Sequence, residues 1–246
     1  MSGLLLNPSQ YQRLLEGAWF TVQILGYSFV LGVFLSLVFG VLRLSDNRIV
    51  RGIALTYTEF ARGISSIVLL FIMAYAVPIL MGLPQANLTL LASIALGLNM
   101  GGYGAEIIRG GILSVPRGQT EASIALNLTN NQRLRHIILP QAMRVILPPM
   151  GNLTIEILKG TALVSLIGLV DLTGAEALAF NGQAAPTFEG VRHSRAVFDL
   201  NVLVMYFVIA QAINLLFRRF EARIDARFES RKGEIAPVED AIGASK

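Results

Sequence analysis

Five long apolar runs, separated by polar segments, constrain this chain more than any other feature of its sequence. Each run is about 20 residues long, the length that a helix needs to cross the apolar core of a bilayer. Hydrophobic residues make up 54% of the chain, and its mean hydropathy of +0.61 argues against an ordinary soluble domain. We therefore predict an all-α, polytopic membrane protein with five transmembrane helices, which are Ala18 to Leu42, Ile53 to Val77, Leu88 to Ile108, Val145 to Leu166 and Val197 to Phe217.

Basic residues are distributed unequally between the two sides that five spans create. Fifteen of the 20 Lys and Arg residues follow the first, third and fifth runs. Because basic loops stay on the cytoplasmic side, we predict an N-terminus outside and a C-terminus in the cytoplasm. The chain then divides into an extracytoplasmic lead-in (1–17), a transmembrane domain (18–217) with a long cytoplasmic loop (109–144), and a cytoplasmic basic tail (218–246). The end of this tail, from Gly233, is predicted to be disordered.

The polar segment after the third run has the local signals of two short helices. Pro116 suits the start of a helix, and Asn127 tolerates the left-handed backbone of a turn. Thr129 and Gln132 match a capping box that opens a second helix, which Pro140 ends or bends. We predict a compact helix–turn–helix knob on the cytoplasmic face.

This knob carries a recognisable pattern. Glu121-Ala122-Ser123, the turn residue Asn127, and Ile137 with Leu139-Pro140 resemble the EAA loop of ABC importer permeases. Further motifs are similar to the polar amino acid uptake subfamily, to which histidine and glutamate/aspartate permeases belong. They are Glu106 to Ile112, Pro116-x-Gly118-Gln119, Leu139-Pro140-Gln141-Ala142-x-Arg144, Tyr57-x-Glu59-x-x-Arg62-Gly63 and Gly168-Leu169-Val170-Asp171.

The resemblance implies a type I, binding-protein-dependent importer permease in the bacterial cytoplasmic (inner) membrane. In that family the loop is the coupling helix, which seats in a groove of an ATP-binding subunit. The chain itself is then not an enzyme and binds no cofactor, because ATP and Mg are used by the partner ATPase. Other implied partners are a second permease chain, identical or related, and an extracytoplasmic substrate-binding protein. The residues assigned to ATPase coupling are Gly118, Gln119, Glu121, Ala122, Ser123 and Asn127.

Four residues, at three places in the chain, depart from the family pattern. Ser123 replaces the usual Ala, Asn127 replaces Gly, and Ile64-Ser65 replaces Thr-Pro. Ser and Asn should be tolerated at a small-residue site and a turn, whereas the sequence offers no interpretation of Ile64-Ser65. The alternative interpretation of the loop is a solvated basic connector that follows anionic lipid. Such a connector would not need Gly, Pro and capping residues at these positions.

Polar residues in the fourth span are candidates for contact with a substrate, because charge inside a membrane is costly and seldom kept without a role or partner. Glu156 and Lys159 lie three residues apart in a span that Pro148-Pro149, Gly151 and Gly160 are predicted to interrupt. Together they could complement the charged groups of an amino acid. With equal weight, they could neutralise each other at a subunit seam. The predicted substrate-binding set is Asn152, Glu156, Lys159, Thr161 and Ser165.

Two other features of the spans favour structural roles. Glu59 and Arg62 lie on one helical face, and we predict a structural ion pair rather than a substrate contact. Gly97 to Gly101 matches the GxxxG pattern, for which packing within one subunit is favoured over a dimer seam.

The sequence has no catalytic motif, no P-loop and no metal-ligand spacing, and nothing in it favours nucleic acid. Two other functional classes are alternatives. An ion- or proton-coupled secondary amino acid transporter would usually show inverted repeats. A non-transport membrane scaffold would leave the loop pattern unexplained. Glutamate or aspartate is the first substrate expected from the resemblance, and neutral or basic amino acids and opines stay open.

Overall fold

The structure consists of helices, and no strand occurs among the residues it describes. The computed structural model describes residues 6–83, 85–185 and 192–243, with only the backbone from 227 onward. Two helices contain a π turn, at Ile72–Ala76 and Leu134–Ile138, and the second of them ends in a 3₁₀ turn, Thr161–Ile167. The helices are α1 (Pro8–Leu42), α2 (Arg48–Gly63), α3 (Ser66–Met81), α4 (Leu88–Leu113), α5 (Arg117–Ala125), α6 (Asn130–Ile167), α7 (Leu172–Gly182) and α8 (Arg195–Gly243).

Four of these helices are long and apolar enough to cross a membrane. They are α1, α4, α6 and the Arg195–Ala226 part of α8. Helices α2 and α3 pass the same test together, although a bend of 101° separates them. The predicted all-α, polytopic class is therefore confirmed, with four spans, or five if the bent pair counts as one.

The second span differs from its prediction as a single helix from Ile53 to Val77. Helix α2 ends at Gly63, and the backbone is extended at Ile64 and Ser65, with ψ of 137° and 135°, before α3 begins. Serine is favoured at the residue that precedes a helix. The Ile64-Ser65 departure from the family pattern thus lies at the bend, which hydropathy alone does not reveal because the apolar run continues through it.

Helix α4 is central to the bundle and contacts α1, α2, α3 and α6. Its glycines allow close approach, because a Cβ added at Gly97 would lie 2.9 Å from Leu31 and one at Gly101 would lie 2.7 Å from Leu35, both in α1. Residue numbers rise together along the contact, so α1 and α4 run parallel. The GxxxG match therefore serves packing within one chain, as predicted.

Helix α1 buries small polar residues and turns large apolar residues outward. Thr21, Ser28 and Ser36 are fully buried, whereas Trp19 is 64% and Val30 is 70% exposed. Small residues at helix contacts and large apolar residues facing the hydrocarbon are what a bilayer favours. The outer face of α1 is therefore suited to lipid.

Helix α6 runs through the prolines that were predicted to interrupt it. Pro148 and Pro149 lie inside its regular part, Leu139–Gly160. Pro140 does not end the preceding helix, because the π turn Leu134–Ile138 leads directly into this regular part. Pro140 is the second residue of this regular part, just after the π turn. One continuous helix joins the polar knob to the bundle.

Three segments at the ends of the bundle are more helical than predicted. Helix α1 begins at Pro8, inside the predicted lead-in, and α7 replaces much of the polar loop predicted from Thr173 to Arg195. Leu172, Ala175 and Ala179 of α7 are buried at helical spacing. The backbone of α8 is helical through Gly243, where disorder is predicted. Residues 186–191 and 244–246 lie outside the described residues.

Candidate functional site

Helix α5 is short and has well-defined ends. It begins after Pro116 and ends where Asn127 adopts the left-handed backbone, with φ of 56°. The amide of Asn127 donates to the Ile124 carbonyl at 2.8 Å, and that of Leu128 donates to the Ser123 carbonyl at 3.1 Å. These two bonds form a Schellman motif, which satisfies the last carbonyls of a helix. The predicted turn at Asn127 is confirmed.

The second half of the predicted knob is also confirmed. Thr129 and Gln132 form the capping box, and the Gln132 amide donates to the Thr129 hydroxyl at 3.3 Å. Helix α6 starts there, so the knob is α5, a left-handed turn and the first turns of α6. Gln141 donates through Nε2 to Oε1 of Gln119 at 3.1 Å and braces α5 against α6.

The residues predicted to couple to the ATPase do not all face outward. Gly118, Gln119, Glu121, Ala122 and Asn127 are exposed. Ser123 is only 2% exposed, and its hydroxyl donates to the Thr120 carbonyl at 2.6 Å. Ser123 therefore offers little surface of its own to a partner, because this side chain bonds back onto its own helix.

Two large apolar residues at the end of α5 extend its exposed surface. Ile124 is 54% and Leu126 is 74% exposed. The predicted coupling set omits both, although an apolar side of this helix is visible in the sequence. Exposed large apolar side chains on a polar knob are typical of a protein–protein contact. We define the α5 surface as Gly118, Glu121, Ala122, Ile124 and Leu126.

A second candidate site is an open groove between α2, α4 and α6, where Asn152 and Glu156 are exposed. It is a cavity of about 340 Å³, which is within the size range of small-molecule sites. We call it the charged groove, because an arginine and two glutamates line it. Its lining residues are Arg62, Tyr103, Glu106, Ile107, Pro149, Asn152, Leu153 and Glu156.

Ion pairs surround one end of the charged groove. Glu106 Oε2 lies 2.7 Å from Nη1 of Arg43, and Glu106 also pairs with Arg109. Glu59 Oε1 lies 3.6 Å from Nη1 of Arg62 and 3.9 Å from Nη1 of Arg43. The predicted Glu59–Arg62 ion pair is present, as part of a network that joins α1, α2 and α4. Glu106 was not singled out from the sequence as a site residue, although it belongs to a quoted motif.

Only part of the predicted substrate-binding set lines the charged groove. Asn152 and Glu156 lie in its wall, whereas Lys159 does not. Both Glu156 and Lys159 are exposed in this chain, and no ion pair joins them within the described residues. Neutralisation of Glu156 by Lys159, one of the two alternatives, is therefore absent from the single chain.

The other two predicted contacts belong to the 3₁₀ turn of α6. Thr161 is fully buried and its hydroxyl donates to the Leu158 carbonyl at 2.7 Å. Ser165 donates to the Ala162 carbonyl at 2.8 Å. These hydroxyls bond within their own turn rather than into the charged groove.

The glycines of this span do not break α6 as predicted. A Cβ at Gly151 would lie 3.1 Å from the Phe217 ring of α8, so this glycine serves helix packing. At Gly160 the α-helix tightens into the 3₁₀ turn without ending. The polar side chains, and not a broken backbone, therefore give the charged groove its chemistry.

A buried carboxyl fixes α7 at the opposite end of the bundle. Asp171 accepts a hydrogen bond from the Gly174 amide at 2.9 Å and another from the Tyr206 hydroxyl at 3.1 Å. Gly168 precedes it with φ of 88°, a backbone that favours glycine. Burial raises the pKa of the Asp171 carboxyl above its ordinary value, while these hydrogen bonds act in the opposite direction. The Gly168-to-Asp171 segment thus anchors α7 to α8.

Comparison with known proteins places these features in context. The family model described as "Binding-protein-dependent transport system inner membrane component" matches residues 28–230. A probable amino-acid ABC transporter permease of Sinorhizobium fredii is 40% identical over 85% of this chain and 86% of its own. An L-cystine transport system permease of Bacillus subtilis is 38% identical over 68% of this chain and 71% of its own. A crystal structure of an amino acid ABC transporter with histidines superposes with a TM-score of 0.74 at 29% identity, covering 87% of this chain and 94% of that one.

Proposed function

Because this chain belongs to the family of binding-protein-dependent transport system inner membrane components, we propose that it couples ATP hydrolysis to the passage of an amino acid through its helix bundle. It is an ABC importer permease for amino acids, a multi-pass protein of the inner membrane. Permeases of this family are not catalytic, and the ATPase is a separate subunit. The family also implies a substrate-binding protein as a partner.

The α5 surface carries the coupling proposal. Ile124 and Leu126 offer apolar area to a groove of the ATP-binding subunit, and Glu121 offers a charge that can fix the orientation. The turn at Asn127 and the Gln119–Gln141 hydrogen bond hold α5 on the start of α6. Since α6 continues without a break to Asn152 and Glu156, displacement of α5 by ATP-driven closure reaches the charged groove through one helix.

The test of coupling uses Gly118→Leu and Glu121→Lys in a complex reconstituted with its ATPase and binding protein. A Cβ added at Gly118 would meet no other atom within 4 Å, so we expect Gly118→Leu to leave the permease folded. We expect both variants to lower ATP-dependent uptake by about tenfold or more, because steric or like-charge mismatch at a packed interface costs several kcal/mol. Gly26→Leu is the matched control, since Gly26 is equally unobstructed and lies on the outward face of α1. Normal uptake by both α5 variants would refute the coupling assignment.

The proposed pathway is the charged groove. Asn152 and Glu156 are its proposed substrate contacts, and Lys159, one turn beyond Glu156, is a proposed contact outside the cavity. Glutamate and aspartate are the first substrates to test. Neutral and basic amino acids follow, because one relative is an L-cystine transport system permease and one similar structure is of an amino acid ABC transporter with histidines. Uptake of single labelled amino acids by the reconstituted complex decides between them.

The proposed orientation has the N-terminus outside and the C-terminus in the cytoplasm. It is supported by the parallel course of α1 and α4, which brings Arg43, Arg109 and the α5 surface to one side of the membrane. That side receives the ATPase in this proposal, with the loop 109–144 and the tail 218–246. The opposite side, with α7, receives the binding protein, and a second permease chain completes the pathway. A reporter fused after Lys232 that is active only outside the cell would contradict this orientation.

A further inference from the structure

The three charged side chains that line the charged groove differ in how far their charges are neutralised. Glu106 has two basic partners, Arg43 and Arg109. Glu156 has no ion pair within the described residues. Arg62 has one, at 3.6 Å, to a Glu59 side chain that is 59% exposed. Arg62 and Glu156 are therefore the cation and the anion of the groove that can pair with a ligand.

Arg62 is held in place while some of its donors stay unused. Its backbone carbonyl accepts a hydrogen bond from the Tyr103 hydroxyl at 3.2 Å, and its guanidinium carbon lies 5.7 Å from the centre of the Tyr103 ring. Its Nε is buried and has no hydrogen-bond partner in the described part of the chain. A guanidinium oriented on an aromatic ring presents a planar fork that matches a carboxylate.

The charges around the charged groove also balance. Arg43, Arg62 and Arg109 stand against Glu59, Glu106 and Glu156. A zwitterion entering such a site adds no net charge, and each of its two charged groups finds an opposite partner. This matters because an unpaired charge removed from water is costly in a membrane interior.

We propose that Arg62 binds the α-carboxylate and Glu156 the α-ammonium group of the amino acid in transit, with Asn152 as a neutral hydrogen-bonding partner. The proposal rests on the proposed function and gives the charged groove a substrate class, α-amino acids with both main-chain groups free. It changes the role of Arg62 from a structural ion pair to a substrate contact. The proposal assigns the α-carboxylate to Arg62 and not to Lys159, which lies outside the groove.

The test compares Arg62→Gln with Glu59→Gln in the full complex in proteoliposomes, supplied with a radiolabelled mixture of the standard L-amino acids. Glu59→Gln is the matched control, because it removes the same ion pair but keeps the guanidinium. We expect Arg62→Gln to lower uptake about tenfold or more, the loss typical for a hydrogen bond to a charged group. Arg62→Lys should recover only part of it, since it restores the charge without the fork. Glu59→Gln should change uptake less than about twofold, as an exposed ion pair contributes little.

Assembly and ATP hydrolysis are measured on the same preparations. We expect Arg62→Gln to purify with its ATPase and to hydrolyse ATP as the wild type does. Equal losses of uptake in Arg62→Gln and Glu59→Gln, normal uptake in Arg62→Gln, or disassembly of its complex would each overturn the assignment in favour of a structural ion pair. Failure of the wild-type complex to accumulate any labelled amino acid would refute the proposed function itself, and this inference with it.

Discussion

The approach of α1 to α4 at Gly104 offers a direct test of how the bundle packs. A Cβ added at Gly104 would lie 2.0 Å from Oγ and 2.8 Å from Cβ of Ser36. Ser36 is fully buried, and its hydroxyl donates to the Gly32 carbonyl at 2.6 Å. Rotation of the hydroxyl would break that bond and still leave the two Cβ atoms too close. Gly104→Ala must therefore push the two helices apart.

We expect Gly104→Ala to lower the free energy of unfolding. Overpacking costs about 1–3 kcal/mol, and the better helix propensity of Ala offsets up to about 1 kcal/mol of it. A net loss of about 1–2 kcal/mol corresponds to a fall in Tm of roughly 2–8 °C for a chain of this size. The shift in Tm is measured by heating the detergent-purified permease to a series of temperatures and monitoring the folded fraction by size-exclusion chromatography.

Two further variants test whether the effect comes from the contact between Gly104 and Ser36. Gly26→Ala, whose added methyl group would meet nothing within 4 Å, should leave Tm unchanged or slightly raised. Ser36→Gly combined with Gly104→Ala removes both clashing atoms, so the pair should be more stable than the sum of the single effects by about 1 kcal/mol. Two results would contradict the close packing of α4 against α1 at Gly104. One is a Tm of Gly104→Ala equal to that of Gly26→Ala, and the other is additivity of the Ser36→Gly and Gly104→Ala effects.

Two further predictions concern a turn and a buried carboxyl. Asn127→Val should destabilise the end of α5 by about 1–2 kcal/mol, because a β-branched side chain is strained at φ of 56°, whereas Asn127→Gly should not. Faster hydrogen exchange at the Leu128 amide in the Val variant alone would support this, and equal exchange in the two variants would contradict it. Since burial raises the pKa of the Asp171 carboxyl, its contribution to stability is full below the ordinary value of 3.8 and is lost as pH rises through the folded-state pKa. Over that interval the Tm of the wild type should fall relative to Asp171→Asn, and parallel Tm curves would refute the assignment.

Local features were predictable because they depend on a few neighbouring residues. The left-handed turn at Asn127 and the capping box from Thr129 to Gln132 follow from backbone preferences and short side-chain reach. The 101° bend in the second span was not predictable from hydropathy, since apolar residues continue on both sides of Ile64 and Ser65. Helix α7 was not predicted for a similar reason, because its buried face packs against α1, which lies far from it in the chain, and against α8.

In the charged groove, some pairs of residues were predictable from the sequence and others were not. Sequence spacing placed Glu59 with Arg62 on α2, and Asn152 with Glu156 on α6, because residues on one helical face recur every three or four positions. It could not place Arg62 and Glu156 in the lining of one groove, or show that Arg43 pairs with Glu106, since these residues lie far apart in the chain.

The sequence by itself determined the membrane class, the number of apolar runs, the form of the α5 knob and the family, because hydropathy, capping and motif residues act locally. Only the tertiary structure decided which charges share a cavity, which hydroxyls bond back onto their own helix, and which glycines admit a neighbouring helix. Those outcomes depend on the crossing of helices in space, and a linear pattern does not contain that geometry.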